Sequence, residues 1–284
     1  MSPKWIKALV LIFVVAVLLT VAGVTTPKNQ DENTTAPVSE KETAAADPGS
    51  ANPFLPTPTD KPNSDLNGWI DSNGTSYYYV NGVLQKNTIV GSDTDGYVYL
   101  GANGAKDAGY CNAVTVDEIK WNVIEGTATR VEDEWDETLY TALTYVGQWT
   151  DSSMSREQKL RKAFETIKDE NVFLEGVPDR DGEPYYELNW PVVCANELLT
   201  DGMGDCYSYG AAFAFIGKGI GYDECYACTT GGHGWAIIEG KAYDPEWDAH
   251  HQEYNHFGVA PEDDCDVSYF NSLTEGVDWM KVRV

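Results

Sequence analysis

The chain has 284 residues, 42% hydrophobic and 12% aromatic, enough for one sizeable folded domain and a small one. Its 45 acidic residues against 19 basic ones give a formal charge of −26. That balance argues strongly against a nucleic-acid partner, because a phosphate backbone needs a basic face, and equally against docking on an anionic lipid surface.

Lys4 and Lys7 precede an apolar run from Ala8 to Val24, broken only by Thr20 and Gly23. As a helix this run spans about 26 Å, the short limit for a bilayer, so residues 1–24 read as a signal peptide or an uncleaved membrane anchor. On either reading the bulk of the protein lies outside the membrane, secreted or anchored at the cell surface. Residues 25–66 hold Pro, Thr, Asn, Asp, Ala and Ser with almost no large apolar residue except Phe54 and Leu55. Such a stretch cannot bury enough surface to offset its ordering entropy, and it reads as a disordered linker stiffened by its prolines.

From 67 to 110 the texture changes to short aromatic runs between turn signals (Asn73-Gly74, Asn81-Gly82, Asp95-Gly96, Asn103-Gly104), which predicts β-hairpins. Gly74, Tyr77, Asn81 and Gly82 recur as Gly96, Tyr99, Asn103 and Gly104 at one constant spacing. The pattern G-W-x(n)-G-x-x-Y-Y-x-x-N-G resembles the cell-wall-binding repeats of Gram-positive surface proteins, choline-binding modules among them. The resemblance implies aromatic cages for a quaternary ammonium group, with Trp69, Tyr77, Tyr79, Tyr97 and Tyr99 as the wall-ligand residues. Two units are few for a repeat array, and a structural hairpin packed on the next domain explains the same residues.

The remainder, 111–284, reads as one α+β domain. Ser155 to Gln158 forms a capping box that opens a helix with Leu160, Ala163, Phe164 and Ile167 on one face. Trp190 to Leu199 predicts a second helix. Asp205 is a good N-cap, and the segment it opens, Cys206 to Ile216, is apolar all round and so belongs in the core. Cys206 thereby stands in the first turn of a buried helix, where unpaired N–H groups and the helix dipole stabilise a thiolate and can hold an oxyanion. Downstream, Gly231 to Pro245 reads as strand, turn, strand. A two-residue turn at Glu239-Gly240 sets Trp235 opposite Asp244 and puts His233 diagonal to Asp244 on the same face. A carboxylate so placed can fix the imidazole tautomer and steady the imidazolium. Pro245 reads as a strand end.

The segments G-D-C-Y-S-Y-G-A-A-F, H-G-W and Y-D-P-x-W, in that order, resemble the transglutaminase-like superfamily over roughly residues 150–284. The resemblance implies a papain-like core, a Cys-bearing helix packed on an antiparallel sheet, with Cys206 as nucleophile, His233 as base and acid, and Asp244 as orienter. The hairpin from His to Asp is short for the family, so Asp248 is a second candidate orienter. The implied chemistry passes through an acyl-thioester: water as acceptor gives amide or peptide hydrolysis, and an amine gives crosslinking or ligation. The partners implied are protein or peptide substrates at the cell surface, with cell-wall polymer for the repeats. A non-catalytic wall-binding or adhesion protein on the same fold is the alternative.

No cofactor is expected. The chain has no calcium loop, and Asp93 to Gly96 reads as a turn. Six cysteines are present, and removing a nucleophile leaves an odd number, which argues against a complete disulfide framework. Cys225 and Cys228 could form a local disulfide or bind zinc, either with His233 or with the later cluster His250, His251 and His256, but ordinary thiols in a strand are the simpler reading, with no metal. His250 and His251 read as solvated loop residues. Tyr209, Phe213 and Trp235 read as core and cleft walls rather than specificity elements.

Overall fold

The computed structural model describes residues 65–178, 187–230, 232–251, 254–260 and 280–284, all within one compact unit. The expected anchor or signal segment, nearly all of the linker, and Cys265 lie outside the described residues. Among the described residues no helix is long and apolar enough to cross a membrane. The architecture is mixed α and β, with antiparallel sheets.

The N-terminal strands β1 (Gly68–Ser72), β2 (Thr75–Val80) and β3 (Val83–Leu84) make a three-stranded antiparallel meander. Its turns are the expected Asn-Gly pairs, with φ of 52° and 77° at Asn73-Gly74 and 50° and 80° at Asn81-Gly82. Positive φ at both central residues is the I′ geometry whose twist matches a hairpin, and Asn and Gly adopt it at least cost. The second hairpin, β4 (Thr88–Ser92) and β5 (Gly96–Leu100), behaves differently. It joins β6 (Asn112–Val116), β7 (Ile119–Ile124) and β8 (Thr127–Arg130) in a five-stranded sheet ordered β4-β5-β8-β7-β6. Tyr97 pairs with Ala128 and Val98 with Thr127, so the sheet runs across the boundary expected at residue 110. The physical reason is burial. Leu100, Trp121, Val123 and Ala128 are all at most 4% exposed, and β5 needs the later strands to cover its inner face.

The helices are α1 (Glu134–Trp149), α2 (Arg156–Ile167), α3 (Trp190–Leu199), α4 (Cys206–Ile220) and the short α5 (Pro245–His250). The capping box of α2 forms as expected, with Ser155 bonding the Gln158 amide and Gln158 returning to the Ser155 amide. The α3 range also agrees with expectation. Asp133 caps α1 by accepting from the amides of Trp135 and Asp136, both at 2.9 Å.

A second five-stranded antiparallel sheet, β14-β13-β12-β11-β15, comprises β11 (Cys225–Thr229), β12 (Gly234–Ile238), β13 (Lys241–Tyr243), β14 (Phe257–Val259) and β15 (Met280–Arg283). Two short strands, β9 (Leu174–Glu175) and β10 (Met203–Gly204), pair in parallel beside α4. Helix α4 is the hub, packed against α1, α2 and α3 and against β11 and β12. Phe213, Phe215, Ile216 and Ile220 are at most 1% exposed, each worth about 1.5–3 kcal/mol of apolar burial, which is why the helix is apolar on every side.

Candidate active site

Asp205 ends the extended approach to α4, and its carboxylate accepts from the amides of Tyr207 at 3.1 Å and Ser208 at 3.3 Å. Those two first-turn donors are therefore committed to the cap. The amide of Cys206 itself is left as the donor at the helix tip, beside its own thiol. Cys206 is partly exposed, whereas Cys111, Cys194, Cys225 and Cys228 are buried.

Two glycines bring this helix onto the sheet. A β-carbon at Gly210 would stand 2.7 Å from the backbone of Trp235, and one at Gly234 would stand 2.7 Å from the α-carbon of Tyr207. Neither approach is compatible with a side chain. Backbone therefore meets backbone, and the thiol at the start of α4 reaches His233 just before β12.

The turn at Glu239-Gly240 has φ of 48° and 77°, and it fixes the register Ala236↔Tyr243, Ile237↔Ala242 and Ile238↔Lys241. Extended by one residue, that register sets Trp235 opposite Asp244, as the parity argument requires. His233 Nε2 and Asp244 Oδ2 are hydrogen-bonded. Asp244 is 1% exposed, and its other oxygen accepts from the Trp247 amide at 2.9 Å because Asp244 is also the N-cap of α5. One side chain thus anchors a helix and aims an imidazole. Pro245, expected at a strand end, is instead the first residue of that helix, where a missing N–H costs nothing.

His233 is 12% exposed, with the Trp247 ring edge-on at 4.6 Å and the Trp235 ring parallel at 6.4 Å. Burial alone would lower its pKa. The charge and hydrogen bond of Asp244, followed by the hydrogen bond and charge of Cys206, outweigh burial and push it up to about 10. With Nε2 held by Asp244, Nδ1 is the nitrogen that remains for the thiol. Cys206, His233, Glu175, Glu246, Trp247 and His250 line a cavity of about 340 Å³. A larger hollow of about 650 Å³, lined by Arg156, Lys218, Tyr222 and Val284 among others, has no thiol or imidazole in its lining.

Asp248, the second candidate orienter, is turned elsewhere. It bonds Lys168 Nζ at 2.5 Å and the His256 amide at 3.3 Å. Cys225 and Cys228 lie on opposite faces of β11, one in the main core and the other in a separate cluster with Trp235, so they cannot bridge locally. Burial pushes both thiols up to about 12. His250, expected in a solvated loop, closes α5 and bonds Glu175 at 2.5 Å in the cavity wall. Glu175 and Glu246 are site residues that the sequence did not single out, while Trp247 entered only within a motif and His250 only as a loop residue or possible zinc ligand; Asp244-Pro245 as an N-cap followed by N1 was the signal that would have placed Glu246, Trp247 and His250 on one helix.

The five aromatic residues expected to bind wall ligand do not converge. Tyr79 and Tyr99 are 2% and 8% exposed, and Tyr99 stacks on Tyr110 at 4.4 Å. Tyr97 lies under the Arg130 guanidinium at 4.9 Å and against Trp121. Trp69 is 45% exposed beside Tyr78, and Tyr77 lies on the same meander. Asp93 to Gly96 is a turn, with Ser92 bonded to Asp95.

No family model, curated protein or solved structure matches the chain.

Proposed function

We propose that the chain is a cysteine-dependent amide or peptide hydrolase or acyl transferase that works through a thioester, on a papain- or transglutaminase-like core. The observation that carries this reading is the hydrogen-bonded His233–Asp244 pair sharing one cavity with Cys206 at the tip of α4.

The steps follow from the chemistry of the groups. The Cys206 thiolate attacks the substrate carbonyl carbon and forms the S–C bond. The carbonyl oxygen takes the negative charge and faces the Cys206 amide. The His233 imidazolium gives its Nδ1 proton to the leaving amine as the C–N bond breaks, leaving an acyl-thioester. Water or a second amine then attacks that carbonyl, giving its proton to His233, and the thiolate departs. Asp244 holds the ring in position throughout and stabilises its charge. Trp235 and Trp247 flank the imidazole.

The apolar run at 8–24 and the linker at 25–66 support placement at the cell surface, secreted or membrane-anchored. An adhesive role in contact with cell-wall polymer, with or without catalysis, is favoured by one observation: Trp69, Val80 and Val83 are exposed on the N-terminal meander. Its test is pull-down of the full chain, wild type against Trp69→Ala, on purified wall.

The test of the enzymatic reading is incubation with wall peptides and surface proteins, with and without a primary amine, read by mass spectrometry. Hydrolysed or amine-capped product, absent with Cys206→Ala, supports it; equal product from both forms overturns it.

A further inference from the structure

The catalytic cavity does not end at the thiol. A second cavity of about 320 Å³ adjoins it, and Glu175, Glu246 and His250 form the common wall. A Glu246 oxygen lies within 4.8 Å of ligand atoms of His233 and Asp244, and Glu175, Glu246 and His250 fall within the same distance of one another. Carboxylate therefore continues from the reacting groups into the second cavity, where Glu170 adds a third acid.

The cations nearby do not match this charge. Lys168 lines the cavity, but it is held by Asp248 at 2.5 Å and Glu165 at 2.9 Å. His250 is paired with Glu175 at 2.5 Å and stands 3.7 Å from Glu246.

A separate observation points to a ligand. Tyr209 lines the second cavity, is only 5% exposed, and its hydroxyl has no hydrogen-bond partner among the described residues. The hydroxyl of this otherwise buried side chain opens into the cavity, where it is available to whatever fills that space. Burial, then the fields of Glu175, Glu246 and Glu170, push its pKa up to about 12, so it stays a neutral hydroxyl whose oxygen lone pairs accept. Phe173 and Leu174 supply apolar wall beside it.

We propose that this second cavity is a specificity subsite for a substrate carrying an alkylammonium side chain of the lysine type, held by Glu175, Glu246 and the Tyr209 hydroxyl. An ammonium has three protons to donate, and these three groups accept them, while its methylene stem packs on Phe173 and Leu174. The inference rests on the thioester reading above, and it gives Tyr209 a role beyond that of a cleft wall.

The test uses the full chain and a positional library of acetylated peptidyl aminocoumarins in EDTA, comparing lysine with its neutral isostere norleucine and with glutamate. The expected result is at least a tenfold preference for lysine over norleucine at one position. Tyr209→Phe, which removes only the hydroxyl, should cut that preference several-fold. Glu175→Lys, at a half-exposed position where folding is not at stake, should shift preference toward glutamate. Turnover without a lysine preference, or a preference untouched by both substitutions, overturns this inference and leaves the thioester reading standing. A lysine preference that appears only when EDTA is omitted also overturns it, because a metal ion would then be organising the cluster. Absence of turnover on every peptide, with folded protein that still forms product from wall peptides or surface proteins in the assay above, overturns this inference alone; absence of product in both assays overturns both.

Discussion

Replacing Asp244 by Asn removes a charge and leaves almost everything else in place. The Asn side-chain carbonyl still accepts the Trp247 amide, and Asn caps a helix about as well as Asp, so α5 keeps its start. What disappears is the carboxylate that holds the imidazolium. In the wild type, burial disfavours the charged ring, yet Asp244 and then Cys206 bring it from 6.5 up to about 10. At 1.36 kcal/mol per pH unit, that interval is on the order of 5 kcal/mol of preference for the charged ring. His233 is only 12% exposed, so water screens little of it. In the variant, burial is opposed only by Cys206 and the nearby Glu246, and the ring should titrate far below the wild-type value, toward the ordinary histidine value of about 6.5. Two-dimensional NMR of the histidine rings reads this directly, with His233→Gln assigning the signal among the four histidines. The wild-type ring should stay protonated through neutrality and the variant ring should be neutral at about pH 7. A wild-type His233 that titrates near 6.5, or identical curves in the two proteins, would refute the reasoning.

Stability follows the same groups. A histidine raised on folding contributes stability that is fully present below its unfolded value and is lost as pH rises through the folded one. Urea unfolding should therefore show the wild type losing stability between about pH 6.5 and about pH 10, with that slope absent from Asp244→Asn. Gly210→Ala places a β-carbon 2.7 Å from the Trp235 backbone. The helix must back away by several tenths of an ångström, so we expect a loss of about 1–3 kcal/mol in chemical denaturation and a larger proportional loss of turnover. Lys159 is 2% exposed, with its ammonium 2.5 Å from the Gly109 carbonyl and 3.6 Å from Cys111 Sγ. Lys159→Met leaves that carbonyl without this partner and should cost about 1–3 kcal/mol, measured the same way. Brief alkylation of the native protein should label Cys206 and spare Cys111, Cys194, Cys225 and Cys228, which become labelled only on unfolding; peptide mapping reads the pattern.

Much of the site is legible in the sequence because its signals are local. Asp205 caps the helix that carries Cys206, and Glu239-Gly240 fixes a two-residue turn whose parity sends His233 and Asp244 to one face. A one-residue slip would separate them, so the pattern carries geometric content. Gly210 in an otherwise apolar buried helix, and Gly234 after the histidine, also carried information. A glycine where a side chain would be expected marks a close backbone approach, but the sequence does not name the partner.

The parts that were not legible depend on distant chain segments. Glu175 meets His250 across 75 positions, and no periodicity encodes that contact. The two N-terminal hairpins share turn chemistry, yet one forms its own meander and the other completes a sheet with β8. Local propensity was the same for both; the difference lies in which inner face a later strand covers. Asp244-Pro245 fits a strand end or a helix start equally well until the position of Trp247 is known.

The central claim is that Cys206 and His233 act as one unit, and the rate of Cys206 carboxamidomethylation by iodoacetamide at neutral pH tests it most directly. In the wild type Cys206 should react much faster than a free thiol such as cysteine, and His233→Ala should bring the rate down to that of the free thiol. A wild-type rate no faster than the free thiol, unchanged by His233→Ala, would contradict the account.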